Sequence, residues 1–300
     1  MPVPIPPPSA VRPERAGSAL GPLERLGRFT GDGFREVTPE SIPPSHVYVL
    51  VHGWAPGWGA RAREEPRLRS WEIDGGAGEF EPWVATLARA ITDADPHAVV
   101  LAYSWLDDAA TGRFVLAQRH AFAHTDLHGR WLAEALVSGT RSDFVEGAGS
   151  VHLIGHSYGA RVVALAALYL PKRPRQLTLF DCPDSPMTHW TGSQSMLAGV
   201  LRKLPIGSAP GEVFVDNYVS MVGARYDGIE GIVDVVLAPP YGVMDYRPRH
   251  LYPMEFYAQT GRLGFGLGWS PLIAARAPAP GCYQQEYGEI ALARGCSGLP

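Results

Sequence analysis

Hydrophobic and polar positions in this chain alternate on two length scales. Short, nearly unbroken apolar runs recur, separated by longer stretches whose apolar residues return every three or four positions. The run HVYVLV at 46–51 reads as a strand that ends in His52-Gly53-Trp54. Residues 81–91 read as a helix, with Trp83, Val84, Leu87 and Ile91 on one face. Further strands are expected at 98–103, 151–154, 177–180, 213–219 and 232–237, and helices at 114–137, 160–169 and 250–260. Strands this apolar bury both faces, which predicts a mainly parallel sheet covered by helices. The alternation of strand and helix points to an open, doubly wound α/β fold, in which ligands bind at the carboxyl ends of the strands. Residues 1–22 are Pro-rich and read as an extended or disordered segment, and 23–300 as a single domain.

Candidate chemistry sits at those strand ends. In VHLIGHSYGA, residues 151–160, the triplet Gly155-His156-Ser157 and the following Tyr158-Gly159 fit G-x-S-x-G between a strand and a helix. The turn is tight, and glycines at its flanks let backbone approach where a side chain would clash. Ser157 would then be strained, with its hydroxyl exposed above the sheet, beside the positive end of the helix that follows. The bland alternative is an ordinary strand-to-helix turn with an inert serine.

A serine hydroxyl needs a base. Of the histidines, only His189 and His250 follow Ser157. His189 lies in an excursion past the 177–180 strand, whereas His250 follows the last strand by a short loop and is expected to begin a helix, which favours His250. An acid must orient the imidazole and stabilise its charged form. Asp181, at the carboxyl end of LTLFD, is preferred; Asp216, inside VFVDNYV, is the alternative and reads equally as a buried structural carboxylate; Asp184 is a distant third. The oxyanion of a tetrahedral intermediate needs backbone donors. The amide of Tyr158, just after the nucleophile, and that of Trp54, where Gly53 permits close approach, are the candidates.

With VHLIGHSYGA, His52-Gly53-Trp54 after a strand, LTLFD and a late histidine in hand, the chain resembles the α/β-hydrolase superfamily over roughly residues 46–260. Within it the arrangement is similar to lipases of the pancreatic-lipase type. In those the acid follows the strand after the nucleophile helix in an L-D-P-like sequence. Phe180-Asp181-Cys182-Pro183 matches that position, and Phe214-Val215-Asp216 resembles a non-catalytic segment. The disulfide-rich character of animal lipases is missing, and no lipid-binding domain is read after residue 260. The resemblance therefore implies a bacterial esterase or lipase-like serine hydrolase acting on a small-molecule or lipid-like ester without a cofactor. An acyltransferase, thioesterase or polyester hydrolase on the same residues, or a non-catalytic binding protein, are the competing readings.

Composition changes this picture little. Nearly half of the 300 residues are hydrophobic, and the net charge is only -4. No basic patch suggests nucleic acid. The longest apolar run, 162–170, is too short to span a bilayer. No signal peptide is read at the N-terminus, so cytoplasmic and secreted locations both remain open. The cysteines are Cys182, Cys282 and Cys296, of which the last two bracket a short loop and could pair. His120, His124 and His128 repeat every four residues on one helix, a spacing that can hold a metal. No carboxylate partner is identifiable in sequence, so no metal is expected. Residues 54–60 and 183–211 read as possible lid or cap excursions, with Trp58 and Trp71 as exposed aromatics suited to an apolar substrate. GFGLG at 264–268 lacks a preceding strand and does not read as a dinucleotide fingerprint, and the segment from 263 to 300 has no functional reading.

Overall fold

The computed structural model describes residues 20–37, 46–55, 58–72, 83–111, 115–138, 151–184, 196–226, 228–242, 244–261, 263, 265–273, 277–286 and 289–292. The expected extended segment therefore lies almost wholly outside the described residues, as do His189 and Cys296. A 3-10 turn, Leu23–Arg25, leads into the sheet.

The strands are β1 (Leu26–Phe29), β2 (Phe34–Glu36), β3 (His46–Val51), β4 (Ala98–Tyr103), β5 (Val151–His156), β6 (Gln176–Phe180), β7 (Phe214–Val219), β8 (Val233–Val236), β9 (Gly281–Glu286) and β10 (Glu289–Leu292). Their order across one sheet is β10-β9-β8-β7-β6-β5-β3-β4-β1-β2. From β4 through β9 every neighbouring pair is parallel. The central strands β3, β5 and β6 are buried almost throughout, as their unbroken apolar runs require. This is the α/β-hydrolase arrangement, a mostly parallel, doubly wound sheet covered by helices.

The helices are α1 (Gly59–Glu64), α2 (Trp83–Ala94), α3 (Leu106–Ala109), α4 (Val115–Ser138), α5 (Tyr158–Tyr169), α6 (Met196–Leu201) and α7 (Tyr246–Gln259). One apolar cluster joins the sheet to α4, α5 and α6, and the other joins its opposite face to α2 and α7. The chain runs from β3 outward to β4, then returns to place β5 on the other side of β3. That reversal opens a crevice at the carboxyl ends of β3 and β5, where HGW and the serine turn stand.

The structure corrects several expectations. The sheet has antiparallel margins, β1 and β2 at one end and β10 at the other, because these short segments carry too little apolar periodicity to read as strands. Two of the edge strands, β9 and β10, occupy the segment left without a reading. Helix α7 begins at Tyr246, so His250 lies one turn inside it and not at its start. Trp58 is buried with Ala55, Ala62, Leu106 and Ala110, and Trp71 packs against Phe34 and over Gly27; neither is an exposed substrate-facing aromatic. In the second excursion, α6 buries Leu197 and Leu201 in the α5 cluster, and residues 185–195 lie outside the described set. Cys182 is free and buried, and Cys282 is disulfide-bonded. No described helix is long and apolar enough to cross a membrane.

Candidate functional site

Ser157 links β5 to α5 with φ 53° and ψ -128°, a conformation that L-residues adopt only under constraint. The constraint comes from packing. A Cβ on Gly155 would lie 2.4 Å from the carbonyl oxygen of Gly159, and a Cβ on Gly159 would lie 2.4 Å from the carbonyl oxygens of Val51 and His52. Glycine at both positions is what allows β5, α5 and the end of β3 to meet. The serine amide donates to Phe180 O at 2.9 Å, tying the turn to the end of β6.

Gly53 faces the serine from the neighbouring strand end. A Cβ there would sit 2.5 Å from Ser157 Cβ and 3.2 Å from its Oγ. The loop carrying Gly53 and Trp54 is fixed from behind by His52. Trp105 N–H donates to His52 Nε2 at 3.2 Å, so the proton is on Nδ1, which donates to Gly53 O at 2.8 Å. Trp105 Nε1–H donates to His52 O at 2.6 Å. Burial pushes the His52 imidazole down to about 4, so it stays neutral in this role near neutral pH. Trp54 Nε1–H donates to Thr111 Oγ1 at 2.6 Å, which ties the loop after β3 to the end of α3.

Asp181 ends β6 with φ 44°. Its carboxylate is fully buried and sits in a cradle of main-chain amides. Ser220, Met221 and Gly223 N–H donate to Oδ1 at 2.9 Å each, and Val222 N–H donates to Oδ2 at 3.2 Å. Gly223 is needed there, since a Cβ would lie 2.9 Å from Asp181 Cα and Oδ1. Oδ2 also accepts from His250 Nδ1 at 2.6 Å. Burial works to raise this carboxyl, but the His250 bond and the amide cradle outweigh it and hold the group down at about 2. Asp181 is thus an anion, and His250 carries a proton on Nδ1, donated to it.

The imidazole of His250 packs 4.4 Å from that of His156, the residue before the serine. His156 Nε2–H donates to His250 O at 3.2 Å, and Ser220 Oγ–H donates to Arg249 O at 2.6 Å. The second bond has a sequence cause. Pro253 lies within α7 and has no N–H to offer the carbonyl four residues earlier, which is Arg249. Ser220 supplies the missing donor and anchors α7 beside the Asp181 cradle. His156 is kept neutral by burial first and by the nearby His250 second.

The other sequence candidates lie elsewhere. Asp216 is buried within the sheet, where its Oδ1 accepts from Thr178 at 2.5 Å and Gln176 at 3.1 Å, and its Oδ2 from the Tyr218 hydroxyl at 3.0 Å. Burial raises it to about 6. Asp184 accepts from Leu197 N–H at the start of α6. The sequence reading missed the amide cradle at 220–223, whose only trace is a glycine three residues past Ser220, and it missed Trp83, Tyr246 and Ser220. Tyr246 is half exposed with its ring 5.7 Å from that of His250, and Trp83 packs edge-on against His156. A cavity of about 220 Å³ between α2 and α7 is lined by Trp83, Thr86, Tyr241, Pro248, Leu251, Met254 and Glu255, and none of Ser157, Asp181 and His250 lines it.

No protein-family model matches the chain. It is similar to lipoprotein lipase of Bos taurus and of Ovis aries, 25% identical over 154 residues, which is 51% of this chain and 27% of each relative. The chain thus aligns with about a quarter of the length of the curated relatives it matches. Among solved structures it is similar to TT1662 from Thermus thermophilus, with TM-score 0.34, 15% identity and coverage of 87% of this chain and 89% of that one. The Pyrococcus furiosus esterase Pf2001 gives TM-score 0.37 and 11% identity over 73% and 82% of the two chains. The siderophore hydrolase EstB of Aspergillus nidulans gives 0.28 and 13% over 83% and 78%. At these TM-scores the fold rests on the strand order and the serine turn, not on the neighbours.

Proposed function

We propose that the chain is a serine hydrolase that cleaves carboxylic esters through an acyl-enzyme on Ser157. The observation that carries the reading is a strained serine at the β5–α5 turn, preceded by His156, whose ring packs 4.4 Å from the His250 imidazole that a buried, ionised aspartate holds at Nδ1. In this mechanism Ser157 Oγ attacks the ester carbonyl while His250 Nε2 takes its proton. Asp181 keeps the ring in the Nδ1–H tautomer and stabilises the imidazolium. The amides of Tyr158 and Trp54 receive the developing oxyanion. His250 then returns the proton to the leaving alcohol, and water, activated by the same ring, releases the acid.

Among the described residues Ser157 Oγ makes no hydrogen bond, and the bond to Nε2 forms as substrate enters, as catalytic hydrogen bonds commonly tighten in the complex. The similarity to lipoprotein lipases agrees with an ester substrate. Ser157→Ala is expected to reduce cleavage of short p-nitrophenyl esters to background while far-UV circular dichroism and the unfolding midpoint stay those of the parent. Turnover retained in that variant rejects the mechanism.

A further inference from the structure

The sequence placed His120, His124 and His128 on one helix and found no carboxylate for them. The fold supplies it from α3. Asp108 follows β4 by a short turn and projects against α4, where its two oxygens have different surroundings. Oδ2 accepts from His128 Nε2–H at 3.0 Å. His128 Nδ1 accepts in turn from the Tyr103 hydroxyl at 3.0 Å. Held between the Tyr103 hydroxyl and Oδ2, the His128 ring orients the carboxylate.

Oδ1 faces outward, toward two more imidazoles. His120 Nε2 lies 3.7 Å from it and His124 Nε2 lies 3.9 Å from it. The ligating atoms of Asp108, His120 and His124 all fall within 4.8 Å of one another. His124 Nδ1 is 2.7 Å from His120 O, a carbonyl that can only accept, so Nδ1 carries a proton and Nε2 is the ring nitrogen on the Asp108 side. Separations of 3.7 and 3.9 Å are too long for hydrogen bonds. They are close to the edges of a tetrahedron around a zinc ion, roughly 3.4 Å for bonds of about 2.1 Å.

We propose that Asp108, His120 and His124 bind one divalent cation, with zinc the ion best suited to two imidazoles and one carboxylate. His128 and Tyr103 form the supporting shell behind Asp108. Asp107, the neighbouring carboxylate, is engaged by Arg25 through two bonds of 2.8 and 2.6 Å and is not needed as a ligand. His120 is 48% exposed, which gives the ion an entry path and room for water at the remaining position, whereas Asp108 at 6% is held in place. The ion would cross-brace α3 and α4. It would do so on the segment that supports the loop after β3, because Ala55 N–H donates to Ala109 O at 3.0 Å and the Trp54 indole donates to Thr111.

The test uses the full chain without an affinity tag, stripped with EDTA and dialysed, then titrated with ZnCl2 by calorimetry. The expected result is one zinc per chain with micromolar or tighter affinity, and a thermal midpoint that rises with Zn2+ but not with Mg2+. His120→Ala and His124→Ala should each weaken binding at least tenfold and abolish the thermal shift, while His97→Ala, at a surface position outside the cluster, should leave both unchanged. His120 is half exposed, so its replacement leaves the core intact even if Asp108→Asn fails to fold. The proposal is overturned if Zn2+ does not bind, if the His120→Ala/His124→Ala double variant binds as the parent does, or if the three residues prove to be only a His–Asp ion pair that stabilises the chain equally with and without the metal.

Discussion

A carboxylate buried as deeply as Asp181 is expected to titrate high, and this one is held low because four main-chain amides and an imidazole converge on it. That difference separates it from Asp216, which is equally buried but accepts from neutral side chains and is raised to about 6. The two residues therefore make opposite predictions. Asp181→Asn should lower kcat/KM for a short ester by on the order of 10³ to 10⁴, since the ring loses both its orienting partner and the charge that stabilises imidazolium. Asp216→Asn should leave kcat/KM within a few-fold while lowering stability by roughly 1–3 kcal/mol. Steady-state kinetics and urea unfolding on both variants decide it, and loss of activity confined to folded Asp216→Asn would contradict the assignment. From sequence, position along the strand favoured Asp181, at the end of its apolar run, over Asp216, inside its own. What separates them is the 220–223 cradle, which is built from amides and so leaves no side-chain signature.

At the scale of the element, α7 is held where it is by two consecutive carbonyls. Arg249 O, deprived of its helical donor by Pro253, takes the Ser220 hydroxyl, and His250 O takes the His156 ring. The helix was legible in sequence, but its start was not. The residues from Tyr246 to Arg249 have no apolar periodicity that would announce a helix, and its beginning is fixed by tertiary contacts to β5 and β7. Removing one of those contacts tests their weight. Ser220→Ala keeps the backbone amide that serves Asp181 but strips Arg249 O of its donor, and should cost about 1–2 kcal/mol in denaturant unfolding. An unchanged midpoint would show that the carbonyl finds another donor. The edge strands were missed for a related reason. β1, β2 and β10 are only three or four residues long, and in β1, β2 and β9 no regular two-residue alternation of apolar and polar positions marks a strand in advance, so their pairing is decided by the sheet they join.

For the molecule as a whole, the chain buries several histidines as neutral rings. Burial lowers His52 to about 4 and pushes His128, His152 and His156 in the same direction. A histidine whose folded value is depressed adds stability above its unfolded value of about 6.5 that is lost as pH falls through the folded value. For His52 alone this is on the order of 3 kcal/mol. Asp216 has the opposite sign, since a raised carboxyl favours the fold at low pH and loses that advantage as pH rises through about 6. Asp181 adds a further loss only below about pH 4, complete near 2. Burial also raises Asp184, which acts in the same sense as Asp216. With four histidines set against these two aspartates, the thermal midpoint should fall between pH 6.5 and 4, and a midpoint constant or rising on acidification would contradict the neutral-ring picture. The central parallel strands and the serine turn could be read from the sequence because unbroken apolar runs and two glycines around a serine admit few other structures. The carboxylate partner of the α4 histidines could not, because only the fold brings α3 against α4. The central claim is that Ser157 is a nucleophile activated by His250. The most direct measurement is labelling of the intact chain with a fluorophosphonate probe, followed by peptide mapping. One adduct per chain on Ser157, greatly slowed in His250→Ala, is the predicted result; no adduct on folded protein, or an adduct elsewhere that survives Ser157→Ala, would contradict it.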